Sequence, residues 1–326
     1  MILVRAPLRI SYIGGGSDYP TYFKKSNGHV LGATIDKFVY IYANPLASIA
    51  KEKIRFSYRQ TESVNSLEEL EHPVVREMLR FFDWNSPLNI GTYADLPSGV
   101  GLGGSSAFAV GLTRILSQLK GDNLSPIETA QIAIKIERKI LNESGGYQDQ
   151  VQTAIGGFRE YIFSPKSLSY SEPLLNPNSL KYLQERQLLI WTGGHRDSHG
   201  HANFTNSKTS TEEVNQVAIL ARDFARKLRA TNDPKISFEL LAEAVVAGWA
   251  AKQTFSTPLD PHIKQLEADV MSMGALAVKL CGAGGEGFLL VLGEPHSITS
   301  IRNHVGFKQS LNFNFTNFGV ETVTQI

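Results

Sequence analysis

The chain has 326 residues, more than one compact core usually carries, so two packed domains are the default. Its 32 basic and 31 acidic residues leave a net charge of +1 with no long basic run, which argues against nucleic acid as a partner. The single cysteine, Cys281, cannot close an internal disulfide, no apolar run approaches the roughly 20 residues that span a bilayer, and Met1–Pro7 does not read as a signal peptide, so a cytoplasmic globular protein with no membrane partner is expected.

Residues 1–13 alternate as a strand pair broken at Pro7, and Gly14-Gly15-Gly16 then interrupts regular structure. Val30–Ile35 and Phe38–Ala43 are β-branched and aromatic, with Asp36-Lys37 as a turn between them. Glu68–Phe82 reads as a helix, and Leu88–Ala94 as a strand leading into the turn Asp95–Gly104. Within Ser105–Lys120 the apolar residues Phe108, Leu112, Ile115, Leu116 and Leu119 recur at helical spacing. Ser125-Pro126-Ile127-Glu128 is a capping box that opens a helix running to about Asn142. A short helix, Tyr147–Ala154, and a strand, Phe158–Phe163, follow. Pro165, Pro173 and Pro177 then mark the domain boundary, dividing the chain into 1–170 and 171–326. In the second half, Glu213–Arg229, Ser237–Lys252 and Pro261–Met271 are helices, the last capped by Asp260. Ala277–Cys281 and Phe288–Leu292 are strands joined by a glycine-rich loop.

Two stretches match G-x-G-x-x-G, one through Gly99, Gly101 and Gly104, the other through Gly282, Gly284 and Gly287. The second runs into a strand, which fails the dinucleotide fingerprint, and neither loop carries the lysine of a phosphate-binding Walker A loop. The physics shared by such loops remains. Glycines let backbone N–H groups approach an anion, and the stretch from Ser98 to Ser106 feeds directly into a helix start, which favours a polyphosphate.

Pro97-Ser98-Gly99-Val100-Gly101-Leu102-Gly103-Gly104-Ser105-Ser106-Ala107 resembles the second motif of the GHMP kinases. Arg5–Tyr19, with Gly14-Gly15-Gly16-Ser17-Asp18, resembles their first motif, and Lys279–Gly287 their third, in the same order and over nearly the whole chain. The triple-glycine form of the first motif is similar to the heptose-phosphate kinases and the kinase half of bifunctional fucokinases; Gly104 departs from that subgroup, where a serine is expected. The resemblance implies an α+β protein of two domains. The first would be ribosomal-protein-S5-domain-2-like with a left-handed crossover, the second a ferredoxin-like GHMP kinase C-terminal domain, with ATP and acceptor meeting in the cleft between them.

By the same resemblance, the chain is an ATP- and Mg2+-dependent kinase acting on the anomeric hydroxyl of a heptose 7-phosphate, on the way to a nucleotide-activated heptose. Its partners would be ATP and a small sugar phosphate, with a homodimer left open. Pro97, Gly99, Gly101, Leu102, Gly103, Gly104, Ser105 and Ser106 would hold ATP. The metal ligands would be Ser106, with Ser105 the next match, and Glu137. Read from the residues alone, Glu137 sits beside apolar Ala133, Ile134 and Leu141; a metal ligand and a boundary carboxylate bonded to Arg138 or Lys139 explain it equally well. Asp149, 12 positions after Glu137, would orient and deprotonate the acceptor, although an aspartate at a helix start is commonly a cap. Arg9 would stabilise charge on the moving phosphoryl group, and Asp18, with Gly15 and Gly16, would meet sugar hydroxyls. Gly284 and Gly285 would approach the acceptor or the phosphates.

Trp191–His201 packs His195, His199, His201 and Arg196 into one stretch. Gly194 and Gly200 disfavour a helix that would align the histidines on a metal, so a polar loop is expected, with Arg196 as a candidate for holding a substrate phosphate and Arg159 as a second. Two rivals stand beside the heptose-phosphate kinase: an L-fucose-type sugar 1-kinase and a non-catalytic sugar- or ATP-sensing protein on the same fold. The presence of both Glu137 and Asp149 disfavours the sensor.

Overall fold

The computed structural model describes residues 1–47, 49–193, 211–256, 258–282 and 285–325. The chain opens with β1 (Ile2–Ile13), a single-turn helix α1 (Pro20–Phe23) and the long β2 (Gly28–Pro45), which pairs antiparallel with β1 along its length. Pro7 therefore does not break a strand pair, and Asp36-Lys37 is not a turn. Between Pro7↔Phe38 and Arg9↔Thr34 the register slips, so that the Asp36-Lys37 signal marks an irregularity within one continuous β2. Such a bulge bends a strand and re-aims the side chains beside it. Arg9 follows the slip and turns its guanidinium inward.

The short hairpin β3 (Ile54–Ser57) and β4 (Thr61–Val64) leads to α2 (Pro73–Phe81), shorter than the helix expected from Glu68. β5 (Leu88–Ala94) lies between β2 and β3, and it feeds α3 (Gly104–Lys120). α3 lies tight on the sheet: a Cβ on Gly111 would come within 2.3 Å of Ile41. Its Leu112, Ile115 and Leu116 are fully buried, each contributing roughly 1.5–3 kcal/mol. Ser125 caps α4 (Pro126–Ile134), with the complete reciprocal capping box to Glu128. The helix does not run evenly to Asn142, for Lys135–Ile140 is π-helical. α5 (Gln148–Ile155), β6 (Arg159–Phe163) and β7 (Leu168–Tyr170) complete this half, β6 pairing with β2 and β7 with β6.

A second, four-stranded antiparallel sheet is built later in the chain. α6 (Pro177–Gln184) precedes β8 (Gln187–Trp191). Then come α7 (Thr211–Arg229), α8 (Pro234–Gln253) and α9 (Pro261–Ser272), with Asp233 and Asp260 as N-caps of the last two. β9 (Ala275–Leu280), β10 (Phe288–Gly293), α10 (Pro295–Val305) and β11 (Ser310–Leu311) follow, giving the strand order β11-β8-β10-β9. The last strand, β12 (Glu321–Gln325), returns to the first sheet and pairs with β1. The protein is thus α+β with two sheets. We propose a division into domains at 1–170 and 171–326, with β12 lent back to the first. Among the described residues no helix is long and apolar enough to cross a membrane.

Candidate active site

A cleft of about 1370 Å³ is lined from both halves of the chain. One wall is the loop between β5 and α3. Gly99, Gly101 and Gly103 have φ of 80°, 84° and 79°, a region that favours glycine. No side chain caps the start of α3, and Gly103, Gly104 and Ser105 lie on the cleft wall there. A helix start with exposed N–H groups and the positive end of the dipole is a site for anions. The later glycine loop crosses this one in direct backbone contact. A Cβ on Gly101 would sit 2.8 Å from the Cys281 carbonyl oxygen, one on Gly282 would sit 2.8 Å from Gly101 Cα, and the Phe288 N–H donates to the Val100 carbonyl at 3.3 Å.

The opposite wall is made of side-chain pairs that converge on α5. Arg9 Nε and Nη2 donate to Asp149 Oδ1 and Oδ2 at 2.8 and 2.7 Å, a two-point ion pair, and Arg9 Nη1 donates to the Gly101 carbonyl at 2.9 Å. Arg9 thereby joins the glycine loop to Asp149, whose carboxylate lies in the first turn of α5, where the dipole favours it. One residue earlier, the Gln148 N–H and Nε2 donate to Asp18 at 3.0 and 3.2 Å, and the Gly16 N–H donates to the same carboxylate at 3.0 Å. Asp18 is fully buried, and burial pushes its carboxyl upward, with Asp149 adding to the rise and the N–H donors opposing it. Its side chain fills the place a Cβ on Gly146 would take, 1.8 Å away, so residue 146 must be glycine. In this arrangement Asp18 ties the first glycine loop to α5.

Glu137 lies in the π-helical stretch with no exposed surface. Ser106 Oγ donates to its Oε1 at 3.3 Å and Gln150 Nε2 to its Oε2 at 2.6 Å. Burial pushes the carboxyl up to about 7, against the lowering effect of Arg138 and these two donors. Arg138 is turned to the Gly146 carbonyl and Glu143, and Lys139 is not among the partners of Glu137. Single π turns are common at functional sites, and a buried carboxylate beside a hydroxyl suits a hard cation. Gln150 Oε1 is buried without a hydrogen-bond partner among the described residues, a further sign of a site made for a polar occupant. Among the described residues no three His, Cys, Asp or Glu side chains converge, but Mg2+ needs only one or two carboxylates together with substrate phosphates.

Several cleft residues carry little that sequence reading could use. Lys279 is buried, donating to the Ser11 and Tyr12 carbonyls at 2.5 and 3.0 Å; burial lowers its ammonium to about 8. Lys252 donates to the Gly282 carbonyl at 2.6 Å. At one end, Tyr58, His72 and Phe108 line the cleft; the His72 ring meets those of Tyr58 and Phe108 edge-on at 5.3 and 5.4 Å. Only the lysine's position inside an otherwise apolar strand, Ala275–Leu280, could have pointed to Lys279.

Of the residues singled out in the sequence, Arg9, Gly15, Gly16, Asp18, Pro97, Gly99, Gly101, Gly103, Gly104, Ser105, Glu137 and Asp149 all line this cleft. Ser106 reaches it through Glu137, while Leu102 is buried behind the loop. Gly285 has φ 87° and does not line it. Arg159 is not there either. Its guanidinium donates to the Gly156 and Ser171 carbonyls at 3.0 and 2.6 Å and lies over Tyr170, because β6 carries it along the sheet away from the cleft. Gly284, Arg196 and the histidines at 195, 199 and 201 lie outside the described residues.

Residues 70–157 match the family described as GHMP kinases N terminal domain. The fold is that of the GHMP kinases, whose members use ATP with Mg2+. It is 28% identical to the D-glycero-alpha-D-manno-heptose 7-phosphate kinase of Campylobacter jejuni, over 98% of both chains. The crystal structure of a D-glycero-D-manno-heptose 1-phosphate kinase from Bacteroides thetaiotaomicron superposes with a TM-score of 0.80 at 25% identity, covering 100% of each chain. A bifunctional fucokinase/GDP-fucose pyrophosphorylase of Arabidopsis thaliana is 23% identical over 89% of this chain and 29% of its own length.

Proposed function

We propose that the protein transfers the γ-phosphoryl group of ATP to the anomeric hydroxyl of D-glycero-D-manno-heptose 7-phosphate, giving the 1,7-bisphosphate and ADP. The observation that carries this reading is the two-point Arg9–Asp149 pair tied to the glycine loop at Gly101 in one cleft. The ATP phosphates lie on Gly99–Ser106 at the start of α3, and the base lies at the aromatic end formed by Tyr58, His72 and Phe108. Asp149 orients the acceptor hydroxyl and takes its proton as the oxygen bonds to the γ-phosphorus and the bond to the β-phosphate oxygen breaks. Arg9 neutralises charge that grows on the transferring group and keeps Asp149 facing the loop. Ser106 and Glu137 would hold Mg2+, which when bound neutralises phosphate charge. Gly15, Gly16 and Asp18 shape the acceptor side, and Arg138, Lys252 and Lys279 add positive charge to the cleft lining.

Support for the acceptor comes from the relatives named as heptose-phosphate kinases, one of them aligned over 98% of both chains. A second reading, an L-fucose-type kinase, draws on the fucokinase relative and on Arg159 being turned away from the cleft. The test is ADP release with ATP, Mg2+ and a panel of heptose 7-phosphate, mannose, mannose 6-phosphate and L-fucose. Selective turnover of heptose 7-phosphate is expected. Turnover of L-fucose alone would keep the kinase and replace the acceptor, and no turnover alongside ATP binding would overturn the catalytic reading.

A further inference from the structure

Gln150 follows Asp149 on α5 and is fully buried, yet none of the chemistry above uses it. Towards the ionised form of Glu137, the form that binds a cation, its amide can face in one sense only, since an ionised carboxylate accepts and does not donate. Nε2 on Glu137 Oε2 at 2.6 Å opposes rotation of the carboxylate, whose Oε1 lies 3.3 Å from the Ser106 hydroxyl. The same orientation leaves Gln150 Oε1 buried without a partner among the described residues, an unfavourable state that an apolar side chain of equal size would avoid. Packing alone does not account for a glutamine here. Its neighbours on α5 make parallel contacts: Gln148 with Asp18, Asp149 with Arg9.

We propose that Gln150 is a positioning residue for the divalent-cation site, locking the Glu137 carboxylate against Ser106 and setting it in register with Asp149 on one rigid helix. The inference rests on the reading of Ser106 and Glu137 as the metal ligands. Hydrogen-bond partners behind a metal ligand typically change metal affinity by about 10–100-fold when removed.

The probe is Mn2+, titrated by electron paramagnetic resonance into the full chain saturated with a non-hydrolysable ATP analogue, without acceptor and against nucleotide alone. Gln150→Met keeps the side-chain length and removes the donor, and Gln150→Leu serves if the first variant does not fold. Both are expected to weaken Mn2+ binding about 10–100-fold, within the range seen for such partners. Glu137→Gln and Glu137→Ala are expected to weaken it too, and adding Gln150→Met to Glu137→Ala should change nothing further, because the side chain that Gln150 holds is then gone. A purely structural glutamine would give additive losses in this cycle. Mn2+ affinity within about twofold of wild type in Gln150→Met, or additive losses in the double variant, overturns the inference and leaves the site standing. Unchanged affinity in Glu137→Gln overturns the ligand reading, and the inference with it.

Discussion

The two walls of the cleft are held by different means. The glycine-loop wall is backbone against backbone: Gly101, Gly282 and Gly287 allow two loops to cross at distances where a Cβ would meet carbonyl or Cα atoms at 2.7–2.8 Å. The α5 wall is side chain against side chain, with Gln148, Asp149 and Gln150 each holding a residue from elsewhere in the chain. Backbone crossings resist deformation but leave few groups for chemistry, whereas paired side chains can present charge and accept protons. The first wall is therefore suited to bind a polyphosphate and the second to act on what it presents.

The largest effect is expected on the α5 wall. Asp149→Asn keeps the shape of the side chain but removes the carboxylate proposed as proton acceptor and the negative half of the ion pair with Arg9. Its kcat should fall by about 10²–10⁴-fold while the ATP KM moves only a few-fold. Steady-state kinetics with whichever acceptor of the panel turns over measures both. A variant with full kcat would place the reacting group on some other residue and break the division of labour between the walls.

The loop wall should respond in stability before it responds in rate. Gly101→Ala meets the Cys281 carbonyl and a φ of 84°, and should lose about 1–3 kcal/mol in urea unfolding. Gly104 is the counter-case: it has no positive φ, and its nearest neighbour to a new Cβ is Leu8 at 4.0 Å. Gly104→Ala should keep the fold within about 0.5 kcal/mol. Any rise in the ATP KM of Gly104→Ala then reports the approach of phosphate itself. Equal stability losses at both positions would mean that the crossing of the loops is not what requires glycine.

Lys279 links the two sheets by reaching from β9 to the Ser11 and Tyr12 carbonyls, and its burial makes the link sensitive to pH. Its ammonium is lowered from 10.5 to about 8 by burial, with Arg9 adding to the fall and Cys281 opposing it. Between those values the unfolded chain holds the proton more tightly than the folded one, so folding is favoured as pH rises through the window. The melting temperature of wild type relative to Lys279→Met should therefore increase from about pH 8 towards pH 10. A difference that stays flat across this range would mean that the lysine is not buried as a charge.

Regularly patterned elements were legible in the sequence, and the pairings between them were not. The Ser125 capping box, the helix ending at Lys120 and the strand Leu88–Ala94 follow from local rules. Pro7 and Asp36-Lys37 misled because a local break and a bulge inside a long strand carry the same residues, and only the register with a partner tells them apart. β12 had no local signature that placed it beside β1. In the cleft, glycine spacing marked the loop, yet it could not reveal that Gly282 is glycine because Gly101 crosses it. Arg9 and Asp149 stand 140 positions apart, so nothing in either neighbourhood announces their pairing. For Glu137 the sequence left two explanations open, since a π turn that withdraws a carboxylate from solvent looks like any amphipathic helix.

The smallest predicted effect tests whether that π turn depends on the helix that leads into it or on the wall it faces. Ser125→Ala removes the cap of α4 at an exposed helix start and should lower stability by about 1 kcal/mol, read by urea unfolding. The Glu137 carboxylate is held by Ser106 and Gln150, which belong to other elements, so loosening the first turn of α4 should not move it. Mn2+ affinity and kcat of Ser125→Ala are therefore expected to equal those of wild type. A fall in Mn2+ affinity comparable to that of Gln150→Met would mean that α4 itself sets the carboxylate, and that the side-chain pairs of α5 follow its position without fixing it.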